Sequence, residues 1–178
     1  MKADITLVLG GARSGKSEVA ERLALDAGEP ITYVATGGAP DGDADWAERV
    51  ARHRARRPAG WTTVEVGPTE QIDTVLGSIT GPVLLDSVGT WLARLDDLGA
   101  SGDDGLALRD RLVARRSAGH PTIVVSEEVG LGVHPSSSAG RVFRDALGTV
   151  NRQIGDVADS VLLVVAGRVL VLGQPGVP

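Results

Sequence analysis

Cysteine is missing from all 178 residues. Its absence removes disulfides, thiolate nucleophiles and thiolate metal sites, and leaves the compartment undecided. A net positive charge is missing as well. The formal charge is −5 at pH 7, so no overall field draws nucleic acid or an anionic membrane surface, and any phosphate partner has to be met locally. No apolar run approaches membrane-spanning length, and no stretch has the charged-then-apolar layout of a signal peptide, so a cytoplasmic chain without a membrane anchor is expected. Lysine is nearly absent, two residues against sixteen arginines, a bias that genome composition explains and that makes Lys16 easy to notice. The sole asparagine, Asn151, is followed by Arg152 and Gln153. The Asn-Lys-x-Asp sequence with which a Ras-type switch reads guanine is therefore not there.

What is there begins with Gly10-Gly11-Ala12-Arg13-Ser14-Gly15-Lys16-Ser17, which fits G-x-x-x-x-G-K-[ST] without a mismatch. The apolar run Ile5 to Leu9 before it reads as a buried strand, and Ser17 to Leu25 after it as a helix, the context a phosphate-binding loop requires. Glycines at 10, 11 and 15 let successive N–H groups and the helix N-terminus point at an anion. Lys16 is placed to reach the β- and γ-phosphates as a solvated charge, and the Ser17 hydroxyl to hold Mg²⁺.

Further strands are expected at Pro30–Ala35, Thr62–Val66, Pro82–Asp86, Thr122–Ser126, Val161–Val165 and Val169–Leu172. Helices are expected at Trp46–Arg57, Gln71–Leu76, Thr90 to about Leu98 and Leu106–Ser117, and in a long segment carrying Val142, Phe143, Leu147, Val150, Ile154 and Val157 at helical spacing. Continuous apolar strands alternating with helices imply one α/β domain over residues 1–178, of the phosphate-loop, RecA-like kind. Its sheet is mostly parallel and covered on both faces, and a C-terminal hairpin adds an antiparallel edge. Such folds bind ligands at the carboxyl ends of their strands, so residues 10–17, 36–38, Asp86 and 126–128 should converge.

Asp86 closes an apolar strand, where a second phosphate-loop signature places a Mg²⁺-ordering carboxylate; a helix cap would use the same residue type. The segment Arg49 to Pro58 holds His53, one of three histidines, among five arginines. A solvated basic helix face has this composition, and so does a local anion site, since guanidinium forks suit phosphate oxygens. An imidazole beside bound phosphates can attack phosphorus and carry a nucleotidyl group. His120 and His134, each followed by proline, suit turns.

Taken together, these segments resemble the bifunctional adenosylcobinamide kinase / adenosylcobinamide-phosphate guanylyltransferase family of cobalamin biosynthesis. The resemblance is carried by the phosphate loop, Tyr33-Val34-Ala35-Thr36, R-x-x-x-H-x-x-x-R-P-x-x-W from Arg49 to Trp61, Leu84-Leu85-Asp86, Glu128 to Pro135, Arg141-x-Phe143-Arg144-Asp145 and Val150-Asn151-Arg152. It implies that His53 is the guanylylated histidine. It also implies that Gly37, Gly38, Arg56, Arg57, Pro58, Glu65 and Asp86 join residues 10–17 in contacting GTP. Mg²⁺, GTP or ATP for the kinase step, adenosylcobinamide as acceptor and a homotrimer come with the resemblance. Two positions depart from the family pattern: Glu127 stands where Asn is common, and Ser87 where Cys is frequent. Without the resemblance, a simple small-molecule kinase sharing Lys16 and Asp86 stays open, as does a nucleotide-dependent regulator.

Overall fold

A computed structural model of the chain describes residues 4–28, 30–37, 44–67, 71–97 and 104–173. In chain order the elements are β1 (Ile5–Gly10), α1 (Lys16–Asp26), β2 (Thr32–Ala35), α2 (Ala44–Arg56), β3 (Thr62–Glu65) and α3 (Ile72–Ser78). They continue with β4 (Val83–Asp86), α4 (Val88–Asp97), α5 (Asp104–Ser117), β5 (Thr122–Glu127), α6 (Ser138–Gly155), β6 (Ser160–Val165) and β7 (Arg168–Leu172). Every expected segment is present, with ends displaced by a residue or two. One displacement has a long-range cause. Helix α4 begins at Val88 and not at Thr90, because the Glu127 carboxylate at the end of β5 accepts the Gly89 N–H at 3.0 Å. A cap supplied from 38 residues away leaves no local signal.

The seven strands form one sheet in the order β3-β2-β4-β5-β1-β6-β7. All neighbours are parallel except β6 and β7. Alternation along each strand divides the core. Ile5, Leu7 and Leu9 face one side, with Val83, Leu85 and Val124, under α3, α4, α5 and α6. Val8 faces the other, with Leu84, Ile123, Val125, Leu162 and Val164, under Val19, Ala20 and Ala24 of α1. Both faces are dry, which is why the strands read as unbroken apolar runs. The β6–β7 turn consists of Ala166 and Gly167, both left-handed at φ 50° and 73°, the type I′ geometry whose twist matches a hairpin. That turn also meets the phosphate loop: the Gly167 N–H donates to the Ser14 carbonyl at 2.8 Å.

Two charged side chains are buried among the described residues, Lys16 and Arg115, and the second braces the core. Arg115 on α5, 3% exposed, donates to Thr122 Oγ1 (3.0 Å) and to the carbonyls of Leu76 (2.9 Å), Ile79 and Gly81 (2.8 Å). It satisfies the chain as it leaves α3 for β4, where no ladder or helix bond is available. Arg115→Ala should lower the unfolding free energy by about 3 kcal/mol, since buried acceptors lose their donor. Urea denaturation followed by circular dichroism checks this, and a loss under about 1 kcal/mol would show that water replaces the guanidinium at little cost.

Candidate active site

The loop between β1 and α1 is held by close approach and by backbone handedness. A Cβ on Gly10 would collide with the Ser14 hydroxyl and sit 2.8 Å from the Val164 carbonyl. Gly15 caps α1 at φ 93°, and Arg13 is also left-handed at φ 56°, so successive N–H groups turn inward as an anion nest requires. Gly11 has a different place in this scheme. A Cβ there would meet nothing within 4 Å, so packing does not demand glycine at that position.

Lys16 departs from expectation. It is buried and not solvated, with Nζ 3.4 Å from the Gly11 carbonyl and 3.5 Å from Glu127 Oε1. The cause is the sheet: β1 pairs with β5 so that Gly10 lies opposite Glu127. Glu127 is the hub of this region. It accepts from the Ser87 hydroxyl (3.0 and 3.1 Å) and from the Gly89 N–H (3.0 Å), so one carboxylate joins the phosphate loop, the end of β4 and the start of α4. Thr36, fully buried, donates to the Ser87 carbonyl (2.6 Å) and accepts the Ser87 N–H (2.9 Å). Arg94 of α4 donates to the carbonyls of Thr36 (2.5 Å) and Val66 (2.9 Å), fixing the ends of β2 and β3 together.

A second group gathers around His53 on α2. Its Nδ1 lies 3.8 Å from Asp86 Oδ2 and 3.5 Å from Arg56 Nη2, so the ring stands between an anion and a cation. Asp86 also accepts the Tyr33 hydroxyl at 2.8 Å. Arg57 lies over the Tyr33 ring, 3.4 Å from its centroid, and donates to Thr63 Oγ1 at 3.2 Å. Arg56 reaches α1, pairing with Glu18 (3.2 Å) and Glu21 (3.0 Å). Burial pushes the Glu21 carboxyl above the usual range, with Arg56 pulling against it. Basic residues in the last turn of α2 thus anchor the helix that carries the histidine, and they are more than a solvated face.

One cavity connects the two groups. His53, Asp86, Arg54, Arg57 and Glu65 line it on one side, and Ser87, Thr90 and Glu127 on the other, with Tyr33 and Gly37 at its wall. Arg54 and Glu65 of that lining form an ion pair with each other. The sequence-predicted residues Gly37, His53, Arg57, Glu65 and Asp86 are therefore brought together. Lys16 touches the same cavity through Glu127. Arg56 turns away to α1 and is not part of the lining, and neither is Pro58. Gly38 lies outside the described residues. Sequence reasoning missed Tyr33, Thr90 and Arg94 as parts of the site; it placed Glu127 in the converging 126–128 segment, and as a departure from the family pattern, without foreseeing its contact with Lys16. A carboxylate at the end of a strand was a visible signal, but the strand order that aims it at Lys16 was not.

Ser17, in the first turn of α1, and Asp86, at the end of β4, offer the hard oxygen donors that suit a Mg²⁺ ion. Among the described residues no group of three or more His, Asp or Glu side chains could cage a metal. Mg²⁺ does not need such a cage, because it keeps waters and takes one or two protein oxygens plus substrate phosphates.

Comparison with known proteins now decides between the open readings. The family model for cobinamide kinase / cobinamide phosphate guanyltransferase matches residues 6–172. The chain belongs to that family. It is 37% identical to the bifunctional adenosylcobalamin biosynthesis protein CobP of Pseudomonas aeruginosa, over 95% of this chain and 98% of the relative. It is 34% identical to the proteins named CobU of Escherichia coli and Salmonella typhimurium, over 90% of this chain and 95% of each relative. Membership makes the chain a cobinamide kinase and a cobinamide phosphate guanylyltransferase. Among the described residues, no helix is long and apolar enough to cross a membrane.

The contact between Tyr33 and Asp86 gives a spectroscopic prediction. Burial, then the Asp86 carboxylate, push the Tyr33 phenol well above its ordinary value near 10. The folded state therefore prefers the neutral phenol, so its contribution to stability is whole below pH 10 and is lost as pH rises beyond it. Tyr33 is the only tyrosine. Absorbance at 295 nm should show no phenolate at pH 10–11 while the protein stays folded, and the whole change should arrive with alkaline unfolding. A transition near pH 10 in folded protein would place the hydroxyl in water.

Proposed function

We propose that both family reactions run from a single nucleotide site in which His53 is the covalent carrier. The supporting observation is that His53 and Asp86 share one cavity with Glu127, whose carboxylate is paired with Lys16. In the kinase step the aminopropanol hydroxyl of adenosylcobinamide attacks the γ-phosphorus of ATP or GTP, the bridging P–O bond to the β-phosphate breaks, and nucleoside diphosphate leaves. Lys16 leaves Glu127 for the β- and γ-phosphates, and the loop N–H groups of residues 11–17 receive the developing charge. Mg²⁺ held by Ser17 and Asp86 would neutralise phosphate oxygens.

In the guanylyl step an imidazole nitrogen of His53 attacks the α-phosphorus of GTP and pyrophosphate leaves. Attack through Nε2 keeps Nδ1 beside Asp86 and Arg56, so the ring is oriented from behind. A phosphate oxygen of adenosylcobinamide phosphate then attacks the histidine-bound phosphorus, the P–N bond breaks, and the GDP-linked corrinoid is released with His53 restored. Gly37, Gly38, Arg57, Pro58 and Glu65 contribute to the guanine nucleotide's binding, with Arg56 holding α2 in place. A homotrimer acting in the cytoplasm completes the reading. The family match and the relatives in corrinoid biosynthesis support the substrate.

Lys16→Ala should lower the kinase turnover by about a hundredfold to a thousandfold, the range for losing one oxyanion donor. Thermal unfolding tests that the fold survives, since Glu127 keeps its Ser87 and Gly89 donors. Full turnover at saturating Mg²⁺ would remove Lys16 from phosphate binding.

His53→Ala should separate the two reactions. Wild-type protein incubated with α-labelled GTP should retain label as an acid-labile, base-stable phosphoramidate, and the variant should retain none while still forming adenosylcobinamide phosphate. His120→Ala and His134→Ala should label normally. Normal labelling of His53→Ala, or loss of both activities in a folded variant, would leave the basic helix as a binding surface only.

A further inference from the structure

Beyond the end of β5 the chain displays apolar side chains at the reacting end of the sheet. Leu131 is 81% exposed and Val133 95% exposed, the two most exposed large hydrophobic residues among those described. A lone exposed Leu or Val is ordinary. These two are different because the segment that presents them is tied down next to the phosphate loop. At its start the Glu128 N–H donates to the Gly10 carbonyl at 3.1 Å, and the Asn151 side chain donates to the Glu127 carbonyl at 3.0 Å. Within it the Glu128 carboxylate accepts the Gly130 N–H at 2.6 Å. At its end Arg141 of α6 donates to the carbonyls of Pro135 and Ser136, both at 3.2 Å.

The geometry makes a demand on the acceptor. Its hydroxyl must reach a γ-phosphate seated at residues 10–17, yet a corrinoid is a broad macrocycle with methyl-bearing apolar edges and neutral carboxamides, too wide to follow the hydroxyl into the cavity around His53. The ring must rest outside, against a surface adjoining Gly10. Leu131 and Val133 follow within five residues of Glu128, whose N–H is bonded to the Gly10 carbonyl. On the same segment His134 Nδ1 meets Arg144 Nη1 at 2.9 Å, which brings N–H groups suited to carboxamide carbonyls beside the apolar pair. No anion site is needed for such a ligand, in keeping with a chain of negative net charge.

We propose that residues 130–135 form the docking edge for the corrin ring in both reactions, with Leu131 and Val133 as its apolar contacts. This rests on the preceding reading that the acceptor is adenosylcobinamide. The test is the double variant L131S/V133S in the full chain, whose side chains are too exposed to affect folding. Equilibrium dialysis with adenosylcobinamide should show Kd raised at least about tenfold, because two apolar side chains lose buried area on binding. The kinase assay should show KM for the corrinoid raised in parallel, with kcat within about twofold. Label retained from α-labelled GTP needs no corrinoid and should match wild type. Leu25→Ser, an exposed apolar position in α1 near its far end, should leave Kd unchanged.

An unchanged Kd in L131S/V133S would overturn the assignment. So would a changed mass in sedimentation equilibrium, which would make the segment a subunit interface. Wild type that binds corrinoid but never retains label would sink the His53 carrier alone, leaving the docking edge to be judged on Kd. Wild type that binds no adenosylcobinamide would remove both.

Discussion

Lys16 and Glu127 meet because β1 and β5 lie side by side in parallel with Gly10 opposite Glu127, and most of the site is organised by that register. A parallel neighbour presents its carboxyl end at the same edge of the sheet, so the residue that ends β5 faces the residue that begins the phosphate loop. A slip of one residue would send Glu127 to the opposite face and leave a buried lysine without an anion, which is costly in a dry environment. Two dry faces, under α1 on one side and α3 to α6 on the other, hold the register in place. The same carboxylate then decides where α4 starts and where Ser87 points.

The lysine's pairing also shapes how the site must work. Glu127 is an internal anion beside Lys16, so in the proposed nucleotide complex Lys16 exchanges one partner for another and binding is not a simple gain of charge pairing. That exchange weakens the net attraction. It also keeps the lysine ordered before substrate arrives, which preorganises a donor that electrostatic catalysis needs in position.

Helix α2 is positioned by different means. Its described contacts are largely ionic and aromatic: Arg56 to Glu18 and Glu21 on α1, and Arg57 against Tyr33 on β2. Arg56 and Glu21 are partly buried in this contact, and the Arg57–Tyr33 stacking adds to what anchors the helix that bears His53. The phosphate loop is fixed by backbone geometry instead, through Gly10, Gly15 and the Gly167 N–H.

Residues 10–17, the strand and helix around them and the alternation of elements were legible in the sequence, because glycine handedness, apolar period and motif spacing are local properties. The family resemblance added His53, since the spacing from Arg49 to Trp61 is itself a local pattern. The tertiary structure alone decided which strand lies beside β1, and with it that Glu127 binds Lys16, that Tyr33 joins His53 through Asp86, and that Arg56 faces α1 and not the cavity. Strand order and side-chain partners across the sheet come from burying two faces at once. That is a condition on the whole chain, and no segment carries it alone.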